Sequence, residues 1–82
     1  MYKAIITVKL RPSILDPEGK ALEHALRSLE YTQLSGVRIG KAIELTVDAP
    51  NREEASKAVD VACSKLLANP VMEDYTFELE EL

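Results

Sequence analysis

From Tyr2 to Leu10 the chain alternates. Tyr2, Ala4, Ile6, Val8 and Leu10 share one parity, and Lys3, Thr7 and Lys9 take the other. A period of two places successive side chains on opposite faces, so this segment predicts a half-buried strand. Ile5, on the polar side, means that the second face is not wholly wet. The period changes after Asp16. Asp16 suits an N-cap, and Pro17 suits the first helical position, where its missing N–H costs nothing. Leu22, Ala25, Leu26 and Leu29 then fall within about 100° on a helical wheel, opposite Lys20, Glu23, His24 and Arg27. The spacing predicts a first helix from about Pro17 to Glu30, with Glu23 and Arg27 in the favourable order for an ion pair one turn apart.

Val37, Ile39, Ile43, Leu45 and Val47 form a second alternating series, interrupted by Gly40-Lys41. A two-residue hairpin loop at that point would pair Ile39 with Ala42 and throw Ile43, Leu45 and Val47 to the wrong face. Two arrangements keep all five residues together. One is an odd-length turn such as Gly40-Lys41-Ala42. The other is a single long strand from about Gly36 to Asp48, kinked at glycine. In the second case the two halves of the chain can pack with different subunits, as in domain swapping.

Asn51 is a good N-cap, and Glu54 three residues on completes a capping-box-like pair. Ala55, Ala58, Val59, Ala62, Cys63 and Leu66 follow as a helical stripe opposite Glu53, Lys57, Asp60 and Ser64. Asn69 suits the position after the helix end, and Pro70 stops continuation. Tyr75, Phe77 and Leu79 alternate with Asp74, Thr76, Glu78 and Glu80, a last strand with an acidic outer face. The fold class is therefore α+β in two layers, with helices on one face of a mainly antiparallel sheet. It is ferredoxin-like or a close relative: βαββαβ, or βαβαβ with one long kinked central strand.

Composition narrows the class. Eighty-two residues, 46% of them hydrophobic, make one folded domain over 1–82. A chain so small has no second core to enclose a large active site, and it gains from a partner. One cysteine excludes an intramolecular disulfide framework and suits a reducing, cytoplasmic setting. No apolar run is long enough to cross a membrane, and the first residues lack a signal-peptide pattern. A net charge of −4 argues against a nucleic-acid backbone as partner.

Few residues carry candidate chemistry. His24 lies on a polar helix face without an orienting partner, which is the setting of a surface histidine. Cys63 lies in an apolar stripe, which is the setting of a buried structural thiol. Glu73, Asp74, Glu78, Glu80 and Glu81 read as a solvated strand face that also deters edge pairing. With glycines only at 19, 36 and 40, neither common nucleotide-binding fingerprint is present. That leaves Arg38 and Lys41 around Gly40, read either as a solvated strand edge near Glu44 or as a contact surface for an acidic partner. Val61, off the apolar stripe, is a weaker interface candidate.

Three blocks carry a family resemblance: Ile14-Leu15-Asp16-Pro17-Glu18-Gly19-Lys20-Ala21, Val37-Arg38-Ile39-Gly40-Lys41-Ala42-Ile43-Glu44-Leu45, and Leu66 to Tyr75. In that order and at this length they resemble the PurS family, the small subunit of phosphoribosylformylglycinamidine (FGAM) synthase. The resemblance implies a place in purine biosynthesis, in an ATP-dependent carbon–nitrogen ligase with glutamine as amide donor. A glutaminase subunit would release ammonia, and a synthetase subunit, holding ATP and magnesium, would activate the formylglycinamide oxygen of the ribonucleotide. The PurS-like chain would be the non-catalytic member, without a cofactor or metal of its own. It would form a homodimer or tetramer, join the other two subunits and aid ammonia transfer. Within these blocks Asp16, Pro17, Gly19, Asn69 and Pro70 are the candidate structural motif positions, and the segment Arg38, Gly40 and Lys41, read above as a contact surface, is the candidate partner interface. The alternative class is a ferredoxin-like module that binds a regulatory small molecule at a dimer interface. A further alternative is an enzyme with its site built between subunits.

Overall fold

The computed structural model describes all residues from Met1 to Leu82. The elements are β1 (Tyr2–Leu10), α1 (Pro17–Ser28), β2 (Gly40–Val47), α2 (Arg52–Ala62), a π-helical turn over Cys63–Leu67, and β3 (Glu73–Glu81). The sheet order is β2-β1-β3 with both pairings antiparallel. This is the α+β class and the βαβαβ order of the long-strand reading.

Register follows from the alternation. Ile6 stands between Ile43 and Phe77, and Ala4 between Leu45 and Leu79. Tyr2, Ala4, Ile6 and Val8 of the central strand are buried with Ala55 and Val59 of α2, which packs across all three strands, and with Cys63 at the start of the π-turn. The opposite face carries Lys3, Ile5, Thr7 and Lys9 of β1, flanked by Glu44 and Ala42 on one side and Glu80, Glu78, Thr76 and Asp74 on the other.

No hairpin forms at Gly40. The backbone of Gly40 is not left-handed, and the residue opens β2 opposite Lys9. A side chain there would meet the Lys9 stem and the Val8 carbonyl oxygen, each 2.6 Å from where its Cβ would stand. Gly40 is thus demanded by close approach to β1, not by a turn. The left-handed glycine is Gly36, at φ +67°. Regular strand begins at Gly40 and not near Gly36, because residues 37 and 38 run beyond the end of β1 and the Ile39 N–H is taken by Asp16. The four-stranded plan would have this segment fold back beside β2; here β2 stays an edge.

Helix α1 is correspondingly open. Leu22 and Leu29 of its stripe are 49% and 68% exposed. The chain extends 51 × 27 × 14 Å with a radius of gyration of 16.2 Å, against about 12 Å for a compact domain of this length.

The helix ends differ from expectation in two places, each with a local cause. Helix α1 stops at Ser28 because Glu30 turns left-handed at φ +71°, and the Tyr31 N–H reaches back to the Leu26 carbonyl at 2.9 Å. The second helix runs into the π-turn, closed by the Ala68 N–H on the Cys63 carbonyl at 3.0 Å. One extra residue in that turn shifts the stripe. Leu67 takes the sheet-facing place expected of Leu66, and Leu66 is 82% exposed.

Candidate functional site

Asp16 and Gly19 of the first resemblance block meet Val37 and Ile39 of the second at one knot. Asp16 caps α1: its Oδ1 accepts the Gly19 N–H at 3.0 Å and its Oδ2 accepts the Ile39 N–H at 2.7 Å. Pro17 follows at the first helical position. Two turns on, Glu23 Oε1 accepts the Val37 N–H at 3.1 Å while Oε2 faces Arg27 at 3.4 Å. The alternate N–H groups of an extended segment, Val37 and Ile39, are therefore both held by carboxylates of α1. Gly19 permits this approach, since a Cβ there would collide with the Val37 carbonyl oxygen and stand 2.9 Å from Asp16 Oδ2. Accepting the Ile39 and Gly19 N–H groups, and lying near Arg38, holds the Asp16 carboxyl below its usual range against the opposing effect of burial. Glu23 is lowered in the same way, first by the Val37 bond.

Arg38 points back at the body. Its Nη2 donates to the carbonyl oxygens of Leu10, Arg11 and Ile14 at 3.3, 2.9 and 2.9 Å. The guanidinium thus staples the loop after β1 to the segment before β2. Lys41 lies on the helix side of the sheet, and its Nζ is 3.8 Å from Glu73 Oε2. Both cations are engaged within the chain, and Gly40 is pressed under the Lys9 stem.

The third block folds into a cross-braced turn. Asn69 Oδ1 accepts the Val71 N–H, Glu73 Oε1 accepts the Asn69 N–H, and the Met72 and Glu73 N–H groups reach the Asn69 carbonyl. Arg11 donates to the Pro70 carbonyl oxygen and ion-pairs through Nε with Asp74 at 3.2 Å. Val71 is left 74% exposed on this braced turn.

His24 is exposed, and the side-chain bond at this residue is the Ser28 hydroxyl on its backbone carbonyl, not one made by the imidazole. Cys63 is fully buried, and burial together with Asp60 pushes its thiol up, away from the nucleophilic thiolate. Tyr75 donates to Asp60 Oδ1 at 2.7 Å. That bond, with burial and the Asp60 charge behind it, pushes the phenol up to about 12. Histidine, cysteine and carboxylate side chains nowhere gather into a metal-binding group.

One feature escaped sequence reasoning. On the helix-free face, a recess of about 310 Å³ opens beside Thr7, Lys9, Pro12, Arg38, Asp74 and Thr76. Lys9 looks like any outward strand lysine from the pattern alone. Only the return of Arg38 across the loop makes its surroundings concave.

These features define an open βαβαβ relative of the ferredoxin-like plan, with its first helix swung onto the segment before β2. The model of the family "PurS: Phosphoribosylformylglycinamidine (FGAM) synthase" matches residues 3–81, and the chain belongs to that family. It is 48% identical over 82 residues to the phosphoribosylformylglycinamidine synthase subunit PurS of Bacillus subtilis, covering 100% of this chain and 96% of that one. Among solved structures it resembles PurS of Methanocaldococcus jannaschii, described as one of the subunits of formylglycinamide ribonucleotide amidotransferase in the purine biosynthetic pathway. The TM-score is 0.89 at 36% identity, over 100% of this chain and 99% of that one. It is also similar, at TM-score 0.89 and 38% identity over 96% of each chain, to a chain in the structure of PurLQS from Thermotoga maritima.

Proposed function

We propose that this chain is the small assembly subunit of phosphoribosylformylglycinamidine synthase, a glutamine- and ATP-dependent carbon–nitrogen ligase of purine biosynthesis working in the cytoplasm. It bridges the glutaminase and synthetase subunits and keeps their geometry fixed while ammonia passes between them. Ammonia is small, neutral and readily lost to solvent or protonated, so coupling two active sites needs fixed docking more than another catalytic group. The chain itself carries no catalytic step; ATP and magnesium belong to the synthetase.

The observation that carries this reading is the unfinished surface of a chain that matches the family over almost its whole length. The chain exposes 5942 Å², about 1,000 Å² more than the roughly 4,900 Å² of a compact chain of this mass. That surplus is of the order buried per partner in a stable interface. The α1 leucines lie open, and so does part of the helix side of the sheet, where Ile39, Ile43 and Leu45 are only half-buried. The α1 stripe of one copy on the β2 side of another completes both layers, as a homodimer.

Three measurements test the reading. The tagged chain is expected to bring down glutaminase and synthetase subunits in the presence of ATP, magnesium and glutamine; failure to do so overturns the assembly role. Sedimentation is expected to show a dimer that Leu22→Lys with Leu29→Lys converts to monomer. Purified alone, the chain is expected to hydrolyse neither glutamine nor ATP.

A further inference from the structure

The recess on the helix-free face stands out by charge. The chain carries −4 overall, yet this hollow is lined by two cations, Lys9 and Arg38, and one carboxylate, Asp74, which is paired with Arg11. Lys9 takes part in none of the ion pairs, whereas the lysines at 3 and 41 are matched to Glu44 and Glu73. Both cations are held in place by their surroundings. The Lys9 stem lies on Gly40, whose missing side chain leaves it that space. Arg38 is fixed by three carbonyl oxygens. Thr7 and Thr76, opposite each other in register, line the hollow beside them, and Pro12 adds an apolar wall.

The balance of charge selects the ligand chemistry. A carboxylate meets the ammonium of Lys9, which no carboxylate engages, in the field of Arg38, whose charge its neutral carbonyl partners leave in place, with hydroxyls at hand for its second oxygen. A dianionic phosphate would meet Asp74 in the wall, and no free helix N-terminus helps it, since Asp16 already caps α1.

We propose that this recess receives the carboxylate of an aspartate or glutamate side chain from another subunit of the synthase, with Lys9 as its ion-pair anchor. This rests on the assembly role proposed above. Lys9 is then the anchor, beside the Arg38 that the sequence offered as an interface residue.

The test uses the complex reconstituted from purified subunits, with affinity measured over a range of salt. Lys9→Glu is expected to weaken assembly at least about tenfold, and Lys9→Arg to preserve most of it. Sedimentation of the isolated chain stays as in the wild type for both. A charge reversal at the matching acidic residue of the partner is expected to restore assembly of Lys9→Glu. If the wild type assembles and Lys9→Glu assembles equally well, this inference fails and the assembly role stands. If the wild type does not assemble, both fall. Titration of the isolated chain with free glutamate and with inorganic phosphate completes the test. Saturable amide shifts at Thr7 and Thr76 below millimolar concentration would mark a small-anion site and overturn the partner carboxylate.

Discussion

Asp16 and Ile39 are joined by a 2.7 Å hydrogen bond from the Ile39 backbone N–H to Asp16 Oδ2. The other carboxylate oxygen caps α1 through Gly19, so one side chain, 5% exposed, both starts the helix and ties it to the segment that leads into β2. Helix and segment then move as one body, and its attitude to the sheet is set by Arg38 on the loop carbonyls.

That double use makes the knot sensitive to acid. The folded Asp16 carboxyl titrates below its ordinary 3.8 because the Ile39 and Gly19 N–H groups favour the anion. A lowered folded pKa means stability that is present above the ordinary value and lost as pH falls through the folded one. Amide exchange at Ile39 is expected to accelerate in that window, below pH 3.8. In Asp16→Asn this acid step should be missing, with Ile39 already less protected at neutral pH.

Gly19→Ala is the sharper steric probe. Helix propensity alone favours alanine by about 1 kcal/mol. The new methyl would instead collide with the Val37 carbonyl oxygen, a backbone atom. We expect a net loss of about 1–3 kcal/mol in urea unfolding, with the Val37 and Ile39 amides deprotected.

Glu30→Gly should do the opposite. Glu30 closes α1 in the left-handed region, at φ +71°, which costs a residue with a side chain about 1 kcal/mol or more. Glycine relieves that strain but adds freedom to the unfolded chain, so a gain of roughly 0.5 kcal/mol in unfolding free energy is expected.

The π-turn reverses the expected ranking of two neighbouring leucines. Leu66→Ala should change stability by less than about 0.5 kcal/mol, because the side chain is 82% exposed. Leu67→Ala should cost about 1–2 kcal/mol, since it packs against the core. Equal costs in parallel urea titrations would place both on the rim of a straight helix.

Tyr75 gives an alkaline marker for the end of the core. With its phenol pushed up to about 12, the protonated form is favoured in the fold. The associated stability is therefore complete below the ordinary value of 10.0 and lost as pH rises through 12. Ultraviolet titration of the three tyrosines should show one late phase, absent in Tyr75→Phe.

Strands, helices and their start signals were legible in the sequence because each depends on neighbours a few residues away. Alternation around Ile6 and Phe77 and the Asp16 and Asn51 caps reappear in the structure, and the second helical stripe does so at Ala55, Val59 and Cys63, with Ala58 and Leu66 left exposed. Parity across Gly40 had already excluded a two-residue hairpin, and the three motif blocks had already pointed to the family. The helix ends were less legible: the turn at Glu30 carries neither glycine nor asparagine, and a π-turn has no residue signature.

What tertiary structure alone decided lies in the distances between elements. Whether the segment before Gly40 folds back or runs on depends on the reach of α1 to Val37 and Ile39, which no local period encodes. The engagement of Arg38 and Lys41 within the chain, and the open hollow at Lys9, depend on side chains meeting across the loop after β1 and across the sheet. Periodicity reports which face a residue occupies. It does not report what stands opposite that face, and in this chain that opposition decides which surface is left for partners.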